Sequence, residues 1–359
     1  MNKTYIAIFG FLFTATWPLS VHPVLQESQS SPPMIFKFDR EPHKIGFANG
    51  DVRLAGVLVE PDGNGPFPAI VLVHGAGPGT RDEPAFVVHA NAFLKEGFAV
   101  LAYDKRGSGQ STGNLEMSDY EDLASDVASA VNFLRTRNEI ARSKIGLVGR
   151  SEGAWVSTIA AVHDPSIAFV IMSSGSAVKP YEQTVYWTRR ALREKGMPED
   201  RVEQAVKVKT GIWEFYRQVA EGKSNSDKLR IERDSLVQRL AEFQQFRPEM
   251  PSGIMDPKVE DPRKFSAFAH IMFYDPGPTL NSVRAPLLEI IGANDEVVDP
   301  SSTLAVLDKL HGSGRDVSAK TFPGVGHSLL KMQGNTILGY ADGYLDYIVA
   351  WARKQIQKS

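Results

Sequence analysis

The run Ala69-Ile-Val-Leu-Val73, closed by His74-Gly75, constrains this chain more than any other feature. Five consecutive apolar residues are too few for a helix, and they leave no polar face, so they predict an interior strand covered on both sides, as in a parallel sheet. Further strands are expected at Ala99–Tyr103, Ile145–Val148, Phe169–Met172, Leu287–Ile291 and Ser318–Phe322. Helical periodicity fills the gaps, at Phe86–Glu96, Tyr120–Thr136, Ala154–Ala161 and Ser301–Leu310, and a terminal helix is expected over Tyr340–Lys354. Alternation of this kind demands right-handed crossovers and gives an α/β fold, a mostly parallel central sheet with helices on both faces. Ahead of it, Lys44–Glu60 turns at Asn49-Gly50-Asp51, a hairpin signal that sets Val52, Leu54, Gly56 and Leu58 on one face.

The alternation stops between residues 177 and 281. That block shows only amphipathic helical stretches, at Glu182–Lys195, Glu199–Glu221, Asp227–Phe246 and Arg263–Phe273. Residues 44–176 and 282–359 therefore read as two parts of one core. Residues 177–281 read as a helical insertion forming a lid, because long insertions at the carboxyl edge of such sheets overlie the site. A helical side domain unrelated to catalysis is the alternative.

Lys3, the apolar run Tyr5–Phe13, Ala15 and Pro18 give residues 1–25 the pattern of a signal peptide, cleaved between Ala15 and Gln26. The run falls short of the roughly 20 apolar residues of a membrane span. Secretion or periplasmic export, with no stable membrane span in the mature protein, is the expectation; an uncleaved anchor or a mis-assigned start is the alternative. Residues 26–43, rich in Ser, Gln and Pro, read as a tether.

The chain has no cysteine, which excludes disulfides, thiolate catalysis, Cys-based zinc sites and a diacylglyceryl anchor. Forty basic residues against 42 acidic ones leave a formal charge of -2, so nothing draws the molecule to nucleic acid, and a small-molecule partner is expected. No His/Asp/Glu cluster has metal-ligand spacing, and neither metal nor cofactor is called for.

The strand ends carry the chemistry. Gly149-Arg-Ser151-Glu-Gly153 lies between a strand and a helix, where a sharp turn would present the Ser151 hydroxyl. Leu287–Ile291 runs into Gly292-Ala-Asn-Asp295, and Ser318–Phe322 into Gly324-Val-Gly-His327. A serine needs a base to take its proton and a carboxylate to orient that base, so Ser151, Asp295 and His327 form a candidate triad. Asp299 competes with Asp295 for the acid role. His74 is expected to pack under its loop, and His270 falls in the insertion. Small residues in His74-Gly-Ala-Gly77 let backbone approach a bound carbonyl, so the N–H groups of Ala76 and Glu152 are the candidate oxyanion donors. A dinucleotide loop at Gly75-x-Gly77 fits less well, because the third glycine of that fingerprint is replaced by Thr80.

These stretches, with His74-Gly-Ala-Gly-Pro-Gly-Thr-Arg-Asp82 and Tyr103-Asp-Lys-Arg-Gly-Ser-Gly-Gln-Ser111, resemble the α/β-hydrolase superfamily from about Ile45 onward, in its bacterial carboxylesterase and serine aminopeptidase-like (S33/S9-like) branch. The resemblance implies the α/β-hydrolase fold, a structural role for Arg106, and activity on esters, amides, lactones or peptides. Three functions stay open: a carboxylesterase acting through an acyl-enzyme on Ser151; an exopeptidase with the same triad, holding a substrate amine with Glu182, Glu194, Glu199 or Glu203; and a non-catalytic binding protein on a hydrolase scaffold.

Overall fold

A computed structural model describes residues 36–221, 262–334 and 336–358, together with positions 231 and 234. The signal-peptide expectation, most of the tether and most of the helix expected over Asp227–Phe246 lie outside these residues.

The hairpin forms as β1 (His43–Asn49) and β2 (Val52–Val59), with Asn49 opposite Val52 and Gly50 at φ 55° supplying the turn. Leu54 and Leu58 point into one core, as alternation requires. Then follow β3 (Phe67–Val73), α1 (Pro84–Lys95), β4 (Ala99–Tyr103), α2 (Tyr120–Arg135), β5 (Ile140–Arg150), α3 (Glu152–His163) and β6 (Phe169–Ser173). The helical block contributes α4 (Pro180–Glu194), α5 (Glu199–Ala220), α6 (Pro262–Met272) and a short α7 (Pro276–Ser282). The sheet resumes with β7 (Leu287–Gly292), α8 (Pro300–Gly312) and β8 (Val317–Phe322), and the chain closes with a separate hairpin, β9 (Leu330–Gln333) and β10 (Thr336–Tyr340), and α9 (Tyr344–Lys358).

The eight-stranded sheet has the order β1-β2-β4-β3-β5-β6-β7-β8, and β2 alone runs against the rest. Strand β3 shows why its sequence is apolar throughout. Ala69, Val71 and Val73 pack toward α2 and α3, while Ile70 and Leu72 pack toward α1 and α9. Reading from β3, the chain steps outward to β4 and then returns to β5 on the other side. The loops after β3 and β5 diverge there, opening the crevice where open α/β sheets place their ligands.

Two sequence expectations need correction. The tether does not extend to residue 43, since Phe38 packs on the second core and Asn91 of α1 bonds both the Asp39 N–H and the Lys37 carbonyl. The terminal helix begins at Tyr344 rather than Tyr340, because β10 occupies Thr336–Tyr340 and Gly343 turns the chain at φ 74°. Asp275 caps the segment Pro276–Ser282, which forms α7. Among the described residues of 177–281 every regular element is helical, and a third apolar cluster holds α4 to α6 together around Leu192, Val202, Trp213 and Tyr216.

Candidate active site

Ser151 adopts φ 51° and ψ -119°, a left-handed conformation that a non-glycine residue holds only against strain, of order 1–3 kcal/mol. The flanking glycines are dictated by contact. A Cβ at Gly149 would lie 2.1 Å from the Gly153 carbonyl oxygen, and one at Gly153 would lie 2.5 Å from that of Val73. The turn is pinned by the Ser151 N–H, which donates to the Ser173 carbonyl at 2.8 Å, and by the Ala154 N–H, which donates to the Ser151 carbonyl at 2.9 Å.

The loop after β8 brings His327 Nε2 to 3.0 Å from Ser151 Oγ. On the far side of the ring, Nδ1 lies 3.0 Å from Asp295 Oδ2 and 3.1 Å from Oδ1. A hydroxyl, an imidazole and a carboxylate thus stand in hydrogen-bonded series, with the serine donating to Nε2 and Nδ1–H donating to the acid. Asp295 is fully buried, and its Oδ1 also accepts the N–H groups of Val297 and Val298 at 2.8 Å each. It therefore caps the following turn and faces the histidine at once. Asp299, the rival acid, caps α8 through Ser301 and Ser302. The His327 N–H donates to Glu296 Oε2 at 3.0 Å, which adds a brace the sequence analysis did not foresee.

Ala76 stands on the loop after β3 and Glu152 opens α3. Among the described residues neither backbone N–H has a hydrogen-bond acceptor, and the helix N-terminus adds positive dipole at Glu152. Gly75 presses on the elbow, since a Cβ there would sit 3.3 Å from the Arg150 carbonyl and 3.5 Å from Ser151 Cβ. His74 is buried beneath the loop, its Nε2 at 2.5 Å from the Tyr103 carbonyl and its ring stacked on Phe86.

Arg106 points away from the site, pairing with Asp126 through Nε at 2.6 Å and Nη2 at 2.8 Å, and is structural. Its neighbour Lys105 turns the other way, into the site, a role that Asp104-Lys-Arg-Gly107 does not announce. Glu289 was also missed, although a lone carboxylate within Leu-Leu-Glu-Ile-Ile of a buried strand is a detectable signal. Burial pushes its carboxyl well above the usual range, and Oε1 accepts the Gly175 N–H at 2.9 Å.

Among the described residues, the helical block bonds the acid loop at one carbonyl. Tyr186 Oη donates to the Asp295 carbonyl at 2.9 Å and Arg190 Nη1 donates to it at 3.2 Å. Tyr186, Arg190, Glu182 and Asp299 line a cavity of about 610 Å³ outside the acid loop. Three of the four carboxylates considered for amine binding are taken up by arginines, in the pairs Arg190–Glu194, Arg193–Glu199 and Arg189–Glu203. His270 is exposed, 3.1 Å from Asp119, and lies off the triad. No helix of the described residues is long and apolar enough to cross a membrane.

With this geometry in place, the sequence profile described as X-Pro dipeptidyl-peptidase (S15 family) matches residues 49–327, which run from the hairpin turn through the histidine. The chain belongs to the S15 family. Its match to the esterase EstD of Thermotoga maritima is 28% identical over 160 residues, 43% of this chain and 38% of that protein. A 31.7 kDa protein of the Escherichia coli traX-finO intergenic region is 26% identical over 265 residues, 72% of this chain and 82% of that one. Among solved structures, that of DcsB with its substrate analogue superimposes with a TM-score of 0.58 at 16% identity, covering 88% of this chain and all of that one. The Pyrococcus furiosus esterase Pf2001 superimposes at 0.56 and 16%, covering 89% and 91%. This S15 member thus has the α/β-hydrolase fold and belongs to a family of hydrolases.

Proposed function

We propose that the protein is a serine hydrolase that cleaves carboxylic esters through an acyl-enzyme on Ser151. The observation carrying this reading is the series Ser151 Oγ–His327 Nε2 at 3.0 Å and His327 Nδ1–Asp295 Oδ2 at 3.0 Å. His327 takes the hydroxyl proton as Oγ attacks the ester carbonyl, and Asp295 stabilises the imidazolium. The Ala76 and Glu152 N–H groups receive the developing oxyanion. As the tetrahedral adduct collapses, His327 returns the proton to the leaving alcohol; it then activates the water that frees the acid and regenerates Ser151. The helical block borders the acyl site in this reading, with support from the Tyr186 and Arg190 contacts to Asp295. Residues 1–25 act as an export signal, which N-terminal sequencing of the mature protein checks.

The family description favours a second reading, release of X-Pro dipeptides by the same triad. It needs a carboxylate for the substrate's amine, and of the four considered Glu182 is the one that pairs with no arginine among the described residues. Initial rates on short p-nitrophenyl esters and X-Pro p-nitroanilides separate the two. The ester reading expects turnover of the esters, lost in Ser151→Ala, with little anilide cleavage. Efficient anilide cleavage with negligible ester turnover would replace it with the peptidase reading.

A further inference from the structure

Lys105 follows β4, two residues past the strand end, yet its side chain is 5% exposed and runs under the loop after β3. Nζ lies 2.9 Å from the Gly75 carbonyl oxygen and 2.7 Å from Glu152 Oε1. The loops themselves are laced together: the Lys105 N–H donates to the Gly79 carbonyl at 3.0 Å, and the Gly79 N–H donates to Ser108 Oγ at 3.3 Å.

Both contacts fall on residues that the proposed hydrolysis uses. The Gly75 carbonyl and the Ala76 N–H belong to a single planar peptide and point in opposite directions. An ammonium holding the oxygen therefore sets where the N–H points. It also polarises the peptide, which strengthens that N–H as a donor. The second anchor, Glu152, is the residue whose backbone N–H supplies the other half of the hole. We infer that Lys105 is a positioning residue of the oxyanion hole, one buried cation that orients the Gly75–Ala76 peptide and ties it to the residue after the nucleophile.

A purely structural ion pair is a poor explanation for these contacts. Burying two opposite charges rarely adds stability over well-packed apolar side chains, and Arg106 already anchors this loop to α2. The inference rests on the ester-hydrolase reading of Ser151, because it assigns a task within that reaction.

The test compares the unsubstituted protein with Lys105→Met and Glu152→Gln. Readouts are kcat and KM on a p-nitrophenyl ester, affinity for a trifluoromethyl ketone, whose hemiketal on Ser151 carries the oxyanion, and affinity for the planar product acid. Lys105→Met should lower kcat by roughly 10- to 100-fold and weaken the ketone by the same factor, with KM and product affinity almost unmoved. Glu152→Gln, which keeps the volume of the site and removes one anchor of the ammonium, should produce a smaller parallel loss in both. It carries the test should Lys105→Met fail to fold. An active parent whose folded variants keep kcat and ketone affinity, or lose only KM, overturns the Lys105 assignment alone. A parent that neither turns over ester nor binds the ketone sinks the hydrolase reading and the assignment with it.

Discussion

Under the sheet's loops, the buried cation Arg106 meets Asp126 through two charge-assisted hydrogen bonds, donates a third to Ser118 Oγ and a fourth to the Asp122 carbonyl. In the helical block, the buried cation Lys209 lies 3.1 Å from a hydroxyl, Thr188 Oγ1, and 5.5 Å from the centre of the Trp213 ring. The first region matches its buried charge donor for acceptor, as a loop must if it is to hold catalytic geometry. The second relies on apolar packing between helices and on exposed arginine–glutamate pairs, which contribute little each. Buried charge-matched hydrogen bonding is concentrated in the loop after β4, and Tyr186 and Arg190 of the helical block donate to the Asp295 carbonyl.

Removing Arg106 breaks the comparison most sharply. Arg106→Ala leaves Asp126, 1% exposed, as an uncompensated buried carboxylate, and should lower unfolding stability by about 3–5 kcal/mol in urea denaturation. A loss under 1 kcal/mol would mean that the sheet loops are not braced by charge.

Lys209→Met should act on a different property, removing a pH dependence of stability that the helical block carries. Burial lowers the Lys209 pKa to about 7, against 10.5 in its ordinary state. Between those values the unfolded chain binds a proton that the folded one lacks, so the contribution of this group falls as pH drops from 10.5 to 7 and is flat below. Hydrogen exchange across α5 should show protection rising over that window in the parent and constant protection in Lys209→Met. An equal slope in both proteins would contradict the assignment.

The smallest effect is expected at the junction of the two regions. Tyr186→Phe removes one donor to the Asp295 carbonyl, worth about 1 kcal/mol, and should lower kcat by roughly fivefold with stability little changed. An unchanged kcat would make the helical block a bystander to the acid loop.

Much of this was legible because its signals are local. Strands β3, β4, β6 and β7 are short apolar runs, and Ser151, Asp295 and His327 each follow a strand end beside a glycine, so the elements and the candidate site could be read together. What escaped depends on contacts across space. Lys105 and Arg106 are adjacent and chemically alike, and only the loops after β3 and β5 decide which of them faces the site. The β9–β10 hairpin pairs strands of four and five residues around Gly334, too short to stand out before the terminal helix. Phe38 reads as tether until Asn91 and the second core are there to receive it. Glu289 reads as an ordinary acid in sequence, and only its burial, which raises its pKa, sets it apart.

The most direct measurement is mass-spectrometric mapping of a fluorophosphonate adduct on the folded protein and on His327→Ala. The account predicts one adduct, on Ser151, formed rapidly in the parent and slowed by at least about a thousandfold without the imidazole. An adduct on another residue, none at all, or equal labelling rates with and without His327 would contradict it.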